Sequence, residues 1–159
     1  MKKTDCKFSQ RPGVECIIHS LGSDEKIAQR LAQMGVLPGA RLHIVRLAPL
    51  GTTIEVSVDG GQCFAMRNDE LATLDCEIVA TPLTAVDGPP HTTYRIRRLA
   101  GGRRFRQRMG AHGIEPGRFI KILDQTGPPI RVQCLDKEEI VKLGRGEAEK
   151  IIVKGSRKN

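Results

Sequence analysis

Val14, Cys16 and Ile18 alternate with polar neighbours, which is the two-residue period of a strand with one buried face. Ile27, Leu31 and Met34 follow at spacings of four and then three, so they line one face of a helix. Ser23 stands where a helix cap belongs, and Gly35 stands where the helix should stop. After a Pro38-Gly39 turn the strand period returns at Leu42/Ile44 and at Ile54/Val56/Val58. A Gly60-Gly61 hairpin then leads to Phe64/Met66, a helical turn near Asp69 to Ala72, and Leu74/Cys76/Ile78. The pattern predicts five short strands around one helix. Strands this short, buried on one face and punctuated by frequent turns, remove their unpaired edges by closing into a small, complete or partly open barrel.

The same pattern occurs twice. The run Gln29-Arg30-Leu31-Ala32-Gln33-Met34-Gly35-Val36-Leu37-Pro38-Gly39 returns as Gln107-Arg108-Met109-Gly110-Ala111-His112-Gly113-Ile114-Glu115-Pro116-Gly117. Ile18 and Leu21 fall on Ile96 and Leu99, and Leu42 and Ile44 on Ile120 and Ile122. Further on the frame slips by a residue or two, so that Ile54 and Val56 meet Ile130 and Val132, and Glu70 meets Glu147. Slippage of that size belongs in hairpin loops. A unit of about 65 to 70 residues is too long for a solenoid repeat and suits a small domain. The expected division is a flexible tail at 1–10, a first barrel at 11–80, a proline-containing spacer at 81–91 and a second barrel at 92–155.

Composition narrows the classes. With 159 residues and 39% hydrophobic content, the chain has apolar material for two compact cores and little more. No apolar run approaches the ~20 residues of a membrane-spanning helix, and Met1-Lys2-Lys3 leads into polar sequence, so the expected location is the cytoplasm, with a peripheral position at the inner face of the membrane as a variant. Five cysteines without a Cys-x-x-Cys pair fit neither a disulfide framework nor a zinc ribbon. The chain lacks a phosphate-binding Gly-x-x-x-x-Gly-Lys-Ser/Thr loop, a Gly-x-Ser-x-Gly turn and a His-Glu-x-x-His pair, which points away from an enzyme. With no Trp, one Tyr and four Phe, it also lacks the aromatics of a proline-ligand groove.

Charge separates the two copies. Residues 1–82 hold 9 Lys/Arg against 10 Asp/Glu, whereas residues 83–159 hold 17 against 8. Arg95, Arg97, Arg98, Arg103, Arg104, Arg106 and Arg108 fall within fourteen positions. Such density reads either as a solvated face, or a patch docked on acidic loops of the first unit, or as the footprint of an anionic partner: a membrane surface, an acidic protein or nucleic acid.

The ordered set Arg30-Leu31-x-x-Met34-Gly35-Val36-x-Pro38-Gly39, Ala48-Pro49-Leu50-Gly51, an Ile-x-Val strand and Met66-Arg67-x-x-Glu70 resembles the FeoA domain of bacterial ferrous iron uptake. The resemblance spans residues 11–79. Residues 92–154 resemble it less closely, keeping Arg108-Met109, Gly113-Ile114-x-Pro116-Gly117 and Gly146-Glu147-Ala148 but carrying Asp124-Gln125-Thr126-Gly127-Pro128-Pro129 in place of the Ala-Pro-Leu-Gly loop. The resemblance implies a mainly β fold of two tandem SH3-like barrels, each with one helix after its first strand. It also implies a cytosolic, non-enzymatic role beside a GTP-dependent, FeoB-like ferrous iron permease, and Fe2+ or another divalent transition metal as the candidate cofactor. The duplication departs from the usual single copy.

Four groups of residues carry the candidate chemistry. Cys16 and Cys76 are a thiol pair if the first and last strands of the first barrel adjoin, though Cys76, like Cys134, also suits a small core residue. His112 replaces Met34 at the end of the helix stripe and reads as a helix-end histidine or a metal ligand. Arg30 and Arg108 recur at matched places, as expected of arginines that bond carbonyls or a carboxylate in each barrel. Gly101, Gly102, Arg103 and Arg104 occupy the helix start where the first copy has Ser23, Asp24 and Glu25. Two cations at that positive end oppose the helix dipole unless an anion sits there. The functional expectation is an accessory protein that docks on the permease, with a nucleic-acid- or polyanion-binding module as the alternative.

Overall fold

The structure is a computed structural model that describes residues 11–86 and 88–154; the tail expected at residues 1–10 lies outside the described residues. The chain divides into two compact units, residues 1–79 and 80–159.

In the first unit β1 (Glu15–Ser20) leads into α1 (Glu25–Gln33), then β2 (Arg41–Leu47), β3 (Thr53–Val58), β4 (Cys63–Arg67), the short α2 (Asn68–Ala72) and β5 (Asp75–Pro82). The strand order is β4-β3-β2-β1-β5. Cys16 lies opposite Leu42, which lies opposite Val58, so one face of each strand collects the alternating apolar residues. With Leu31 and Val36 they form a core in which Ile18, Leu42, Ile44 and Val56 are fully buried. Each such side chain contributes about 1.5–3 kcal/mol by leaving water.

The cap of α1 is Asp24, whose carboxylate accepts the amides of Lys26 and Ile27 at 3.1 and 3.3 Å. That corrects the expected Ser23. At the other end the amides of Gly35 and Val36 donate to Ala32 and Leu31, and Gly35 holds φ 87°, a left-handed conformation that closes a helix at no cost only for glycine.

The second unit repeats the plan with β6 (Thr93–Leu99), α3 (Arg103–Ala111), β7 (Phe119–Asp124), β8 (Ile130–Cys134), β9 (Glu139–Leu143), α4 (Arg145–Glu149) and β10 (Ile151–Lys154) in the order β10-β6-β7-β8-β9. Equivalent register shifts occur between Ile44 and Arg46 and between Ile122 and Asp124. Each unit is thus a small SH3-like barrel with a helix inserted after its first strand. The second core is built on Tyr94, Ile96, Phe105, Met109, Ile120 and Val132.

The stretch read as a spacer carries regular structure. Ala80, Thr81 and Pro82 pair with Lys154, Val153 and Ile152 of β10. Leu83, at the start of a 3-10 turn (Leu83–Ala85), is buried in the second core. Because Leu83 is apolar and Thr81 can hydrogen-bond β10, residues 80–83 belong to the second barrel rather than to a spacer.

Candidate functional site

The start of α3 differs from that of α1 as the sequence indicated. Its cap is Gly102, with φ −72° and no side-chain bond to the helix amides, and its first turn contains no carboxylate. Arg103 and Arg104 are exposed, so two guanidinium groups stand at the positive helix end without a neutralising cap. The two glycines have different causes. A Cβ on Gly101 would lie 2.2 Å from Phe105 Cδ1 and 2.9 Å from Phe105 Cβ, whereas one on Gly102 would meet nothing within 4 Å. Gly101 therefore makes room for the Phe105 ring, which also lies beneath Lys150 Nζ, 5.2 Å from its centroid, and Arg108, at 5.8 Å. Gly102, Arg103 and Arg104 are exposed.

The recurring arginines have carboxylate partners. Arg30 Nη1 is 3.0 Å from Glu70 Oε1, and Arg108 Nη2 is 3.2 Å from Glu147 Oε2. In each unit the last turn of the long helix is thereby tied to the short helix before the final strand.

The metal candidates do not converge. Cys16 and Cys76 lie on adjoining strands β1 and β5, but both are buried in the first apolar core and neither is in a disulfide. His112 caps α3 in the other unit, with Nδ1 3.0 Å from Glu139 Oε1. Cys134 lies opposite Glu139; burial pushes its thiol above the usual range, with the Glu139 carboxylate adding to the effect. Among the described residues no group of three or more His, Cys, Asp or Glu is placed to hold an ion. Sequence reading missed Glu139 as the partner of His112, since it lies 27 residues away and only the β8/β9 register brings it near.

Among the described residues no helix is long and apolar enough to cross a membrane.

No curated protein matches the chain. Among solved structures, it is similar to iron(II) transport protein A from Clostridium thermocellum, with 33% identity over 91% of this chain and 84% of that one and a TM-score of 0.43. It is also similar to the FeoA protein from Chlorobium tepidum, with 30% identity over 45% of this chain and 67% of that one and a TM-score of 0.41. The FeoA domain matches twice, at residues 10–78 and 84–155, one match on each barrel. The chain belongs to the FeoA domain family, which is associated with ferrous iron transport, and carries the domain in two copies.

Proposed function

We propose that this chain is a non-catalytic, cytoplasmic accessory protein of ferrous iron uptake that regulates a GTP-dependent, FeoB-like permease by docking on its cytoplasmic region. The observation that carries the reading is the FeoA domain match on both barrels. The sequence supports the non-catalytic part, because none of the nucleophile, phosphate-loop or metalloprotease motifs is present. In this proposal Gly102, Arg103 and Arg104 at the start of α3, with Gly101 as the packing residue behind them, meet a carboxylate or phosphate of the partner, which relieves the repulsion at the uncapped helix end.

Titration of the full chain against the permease's cytoplasmic domain at low salt tests this. Saturable binding that salt weakens and that the Arg103→Glu/Arg104→Glu double variant loses is expected. Failure of the wild-type chain to bind overturns the docking proposal, and equal binding by the double variant overturns the role of the arginines. The second reading, a nucleic-acid-binding module, is favoured by the excess of 17 Lys/Arg over 8 Asp/Glu in residues 83–159. Oligonucleotide that displaces the permease domain, or binds where the domain does not, favours that reading.

A further inference from the structure

The outward sheet face of the second barrel has changed its chemistry relative to the first. Cross-strand partners point to the same side of a sheet, so strand register identifies matched rows. In the first barrel one row is Glu15, His43, Ser57 and Cys63, and its neighbour pairs Ile17 with Arg41, which is followed by Asp59. The corresponding rows of the second barrel are Thr93, Lys121, Gln133 and Ile140, then Arg95, Phe119 and Leu135. On the far side Arg131 and Lys142 stand opposite each other where the first barrel has Glu55 and Ala65. Three carboxylates of the first face, Glu15, Glu55 and Asp59, are thus replaced by Thr93, Arg131 and Leu135.

The two faces handle charge differently. In the first barrel Arg41 pairs with Glu15 at 3.4 Å, Arg46 pairs with Glu55, and Asp59 accepts the Arg41 amide at 2.9 Å. In the second, carboxylates are engaged elsewhere: Asp136 with Arg118, Glu139 with His112, Glu147 with Arg108 and Glu149 with Arg145. Asp124, beside Arg131, accepts the Thr126 amide and hydroxyl, and Glu138 occupies the β8/β9 turn. By register Phe119 lies between Arg95 and Leu135, and Ile140 ends the row of Lys121 and Gln133, with Arg131 and Lys142 in the next row; Phe119 is 47%, Leu135 39% and Ile140 55% exposed.

We propose that this face, where exposed Phe119, Leu135 and Ile140 are interspersed with Arg95, Lys121, Arg131 and Lys142, binds the surface of an anionic phospholipid bilayer. The cations meet headgroup phosphates, and the apolar side chains enter the boundary between headgroups and acyl chains. A single-stranded nucleic acid accounts for the cations and stacks on Phe119, but Leu135 and Ile140 offer no ring for a base. A bilayer accounts for all seven. The inference stands apart from permease docking, because vesicles free of permease test it.

The chain has no Trp, so Phe119→Trp provides a single fluorescent reporter on a surface position. Full-length Phe119→Trp is expected to shift its emission to the blue with vesicles of mixed phosphatidylcholine and phosphatidylglycerol, and to remain unshifted with phosphatidylcholine alone. In sedimentation with the mixed vesicles, the wild-type chain binds at low salt and is released as salt rises. Leu135→Ser/Ile140→Ser weakens that binding by on the order of tenfold or more, the worth of burying large apolar side chains, and Lys121→Glu/Arg131→Glu abolishes it. Absence of both shift and sedimentation overturns the proposal. So does binding that survives Leu135→Ser/Ile140→Ser unchanged, or competition by single-stranded oligonucleotide that removes the chain from vesicles, since either makes the face a general polyanion site.

Discussion

Arg30 and Glu70 form an ion pair in which only one member is buried: the Arg30 side chain is 52% exposed and that of Glu70 is 4% exposed. Neither carboxylate oxygen of Glu70 is in hydrogen-bond geometry, so the attraction is between charges at 3.0 Å rather than through an aligned N–H. The matched pair is more open, with Arg108 59% and Glu147 34% exposed. Removing the cation from a buried carboxylate leaves its desolvation unopposed. Arg30→Ala is expected to destabilise the first unit by about 1–3 kcal/mol, and Arg108→Ala the second by less than about 1 kcal/mol. Urea unfolding of the two variants checks the order; equal losses mean that the depth of burial does not govern the pair.

Gly101 and Gly102 respond oppositely to a side chain. Gly101→Ala forces the Phe105 ring aside and is expected to cost the second unit about 1–3 kcal/mol. Gly102→Asp, with open space around it and a φ any residue adopts, supplies the missing cap and adds a few tenths of a kcal/mol. The same carboxylate competes with any anion at the start of α3, so it weakens permease docking. Thermal melts and the docking titration together read both effects.

Cys134 is held protonated by burial and by Glu139. A folded-state pKa above the unfolded one favours folding below the unfolded value and loses that contribution as pH rises through the folded value. The second unit should therefore weaken at alkaline pH. Cys134→Val, which restores the residue of the matched position Val58, is expected to remove that alkaline loss and keep the fold. Exposed Cys63 should react with a thiol reagent well before Cys16, Cys76 or Cys134.

Metal titration is expected to give weak, unselective binding of divalent ions, since Cys16 and Cys76 lie in the first core and His112 at the end of α3 in the other unit, and among the described residues no group of three or more His, Cys, Asp or Glu is placed to hold an ion. Anaerobic calorimetry with ferrous iron and with zinc checks this. Tight stoichiometric binding that Cys16→Ser or Cys76→Ser abolishes contradicts the assignment of those thiols to the core.

A fragment ending near Pro82 is expected to melt cooperatively, because the first core draws on residues 14–78. Leu83→Ala in the full chain should leave that transition unchanged and lower the second by roughly 2–5 kcal/mol, the cost of emptying a buried leucine site.

Much of this architecture was legible because barrel strands bury alternate residues and the chain states the pattern twice. The helix stripe at Ile27, Leu31 and Met34 and the recurring arginines were legible for the same reason. What escaped depended on contacts across the fold. Ser23 and Asp24 are adjacent residues of equal capping chemistry, and only the backbone path chooses Asp24. The pairing of Ala80–Pro82 with β10 links residues about seventy positions apart, so no local period shows it. Gly101 was grouped with an anion site because sequence does not show the Phe105 ring against it. Phe119, Leu135 and Ile140 each stand next to a buried apolar residue, Ile120, Cys134 and Val141, so only strand register shows that they face outward and brings them to one patch.

The position of β10 has a consequence for synthesis on the ribosome. The first barrel has all its strands once β5 has emerged, and it can close while the second is still being made. In the second barrel β10 lies between the end of β5 and β6, yet it follows every other strand in the chain. Ile151, Ile152 and Val153 are completely buried there. Until they leave the exit tunnel, the edges of β5 and β6 that β10 will occupy stand open. In either copy the edge of the first strand stays open until the last strand emerges, and in the second copy an excess of positive charge keeps like chains apart while it waits.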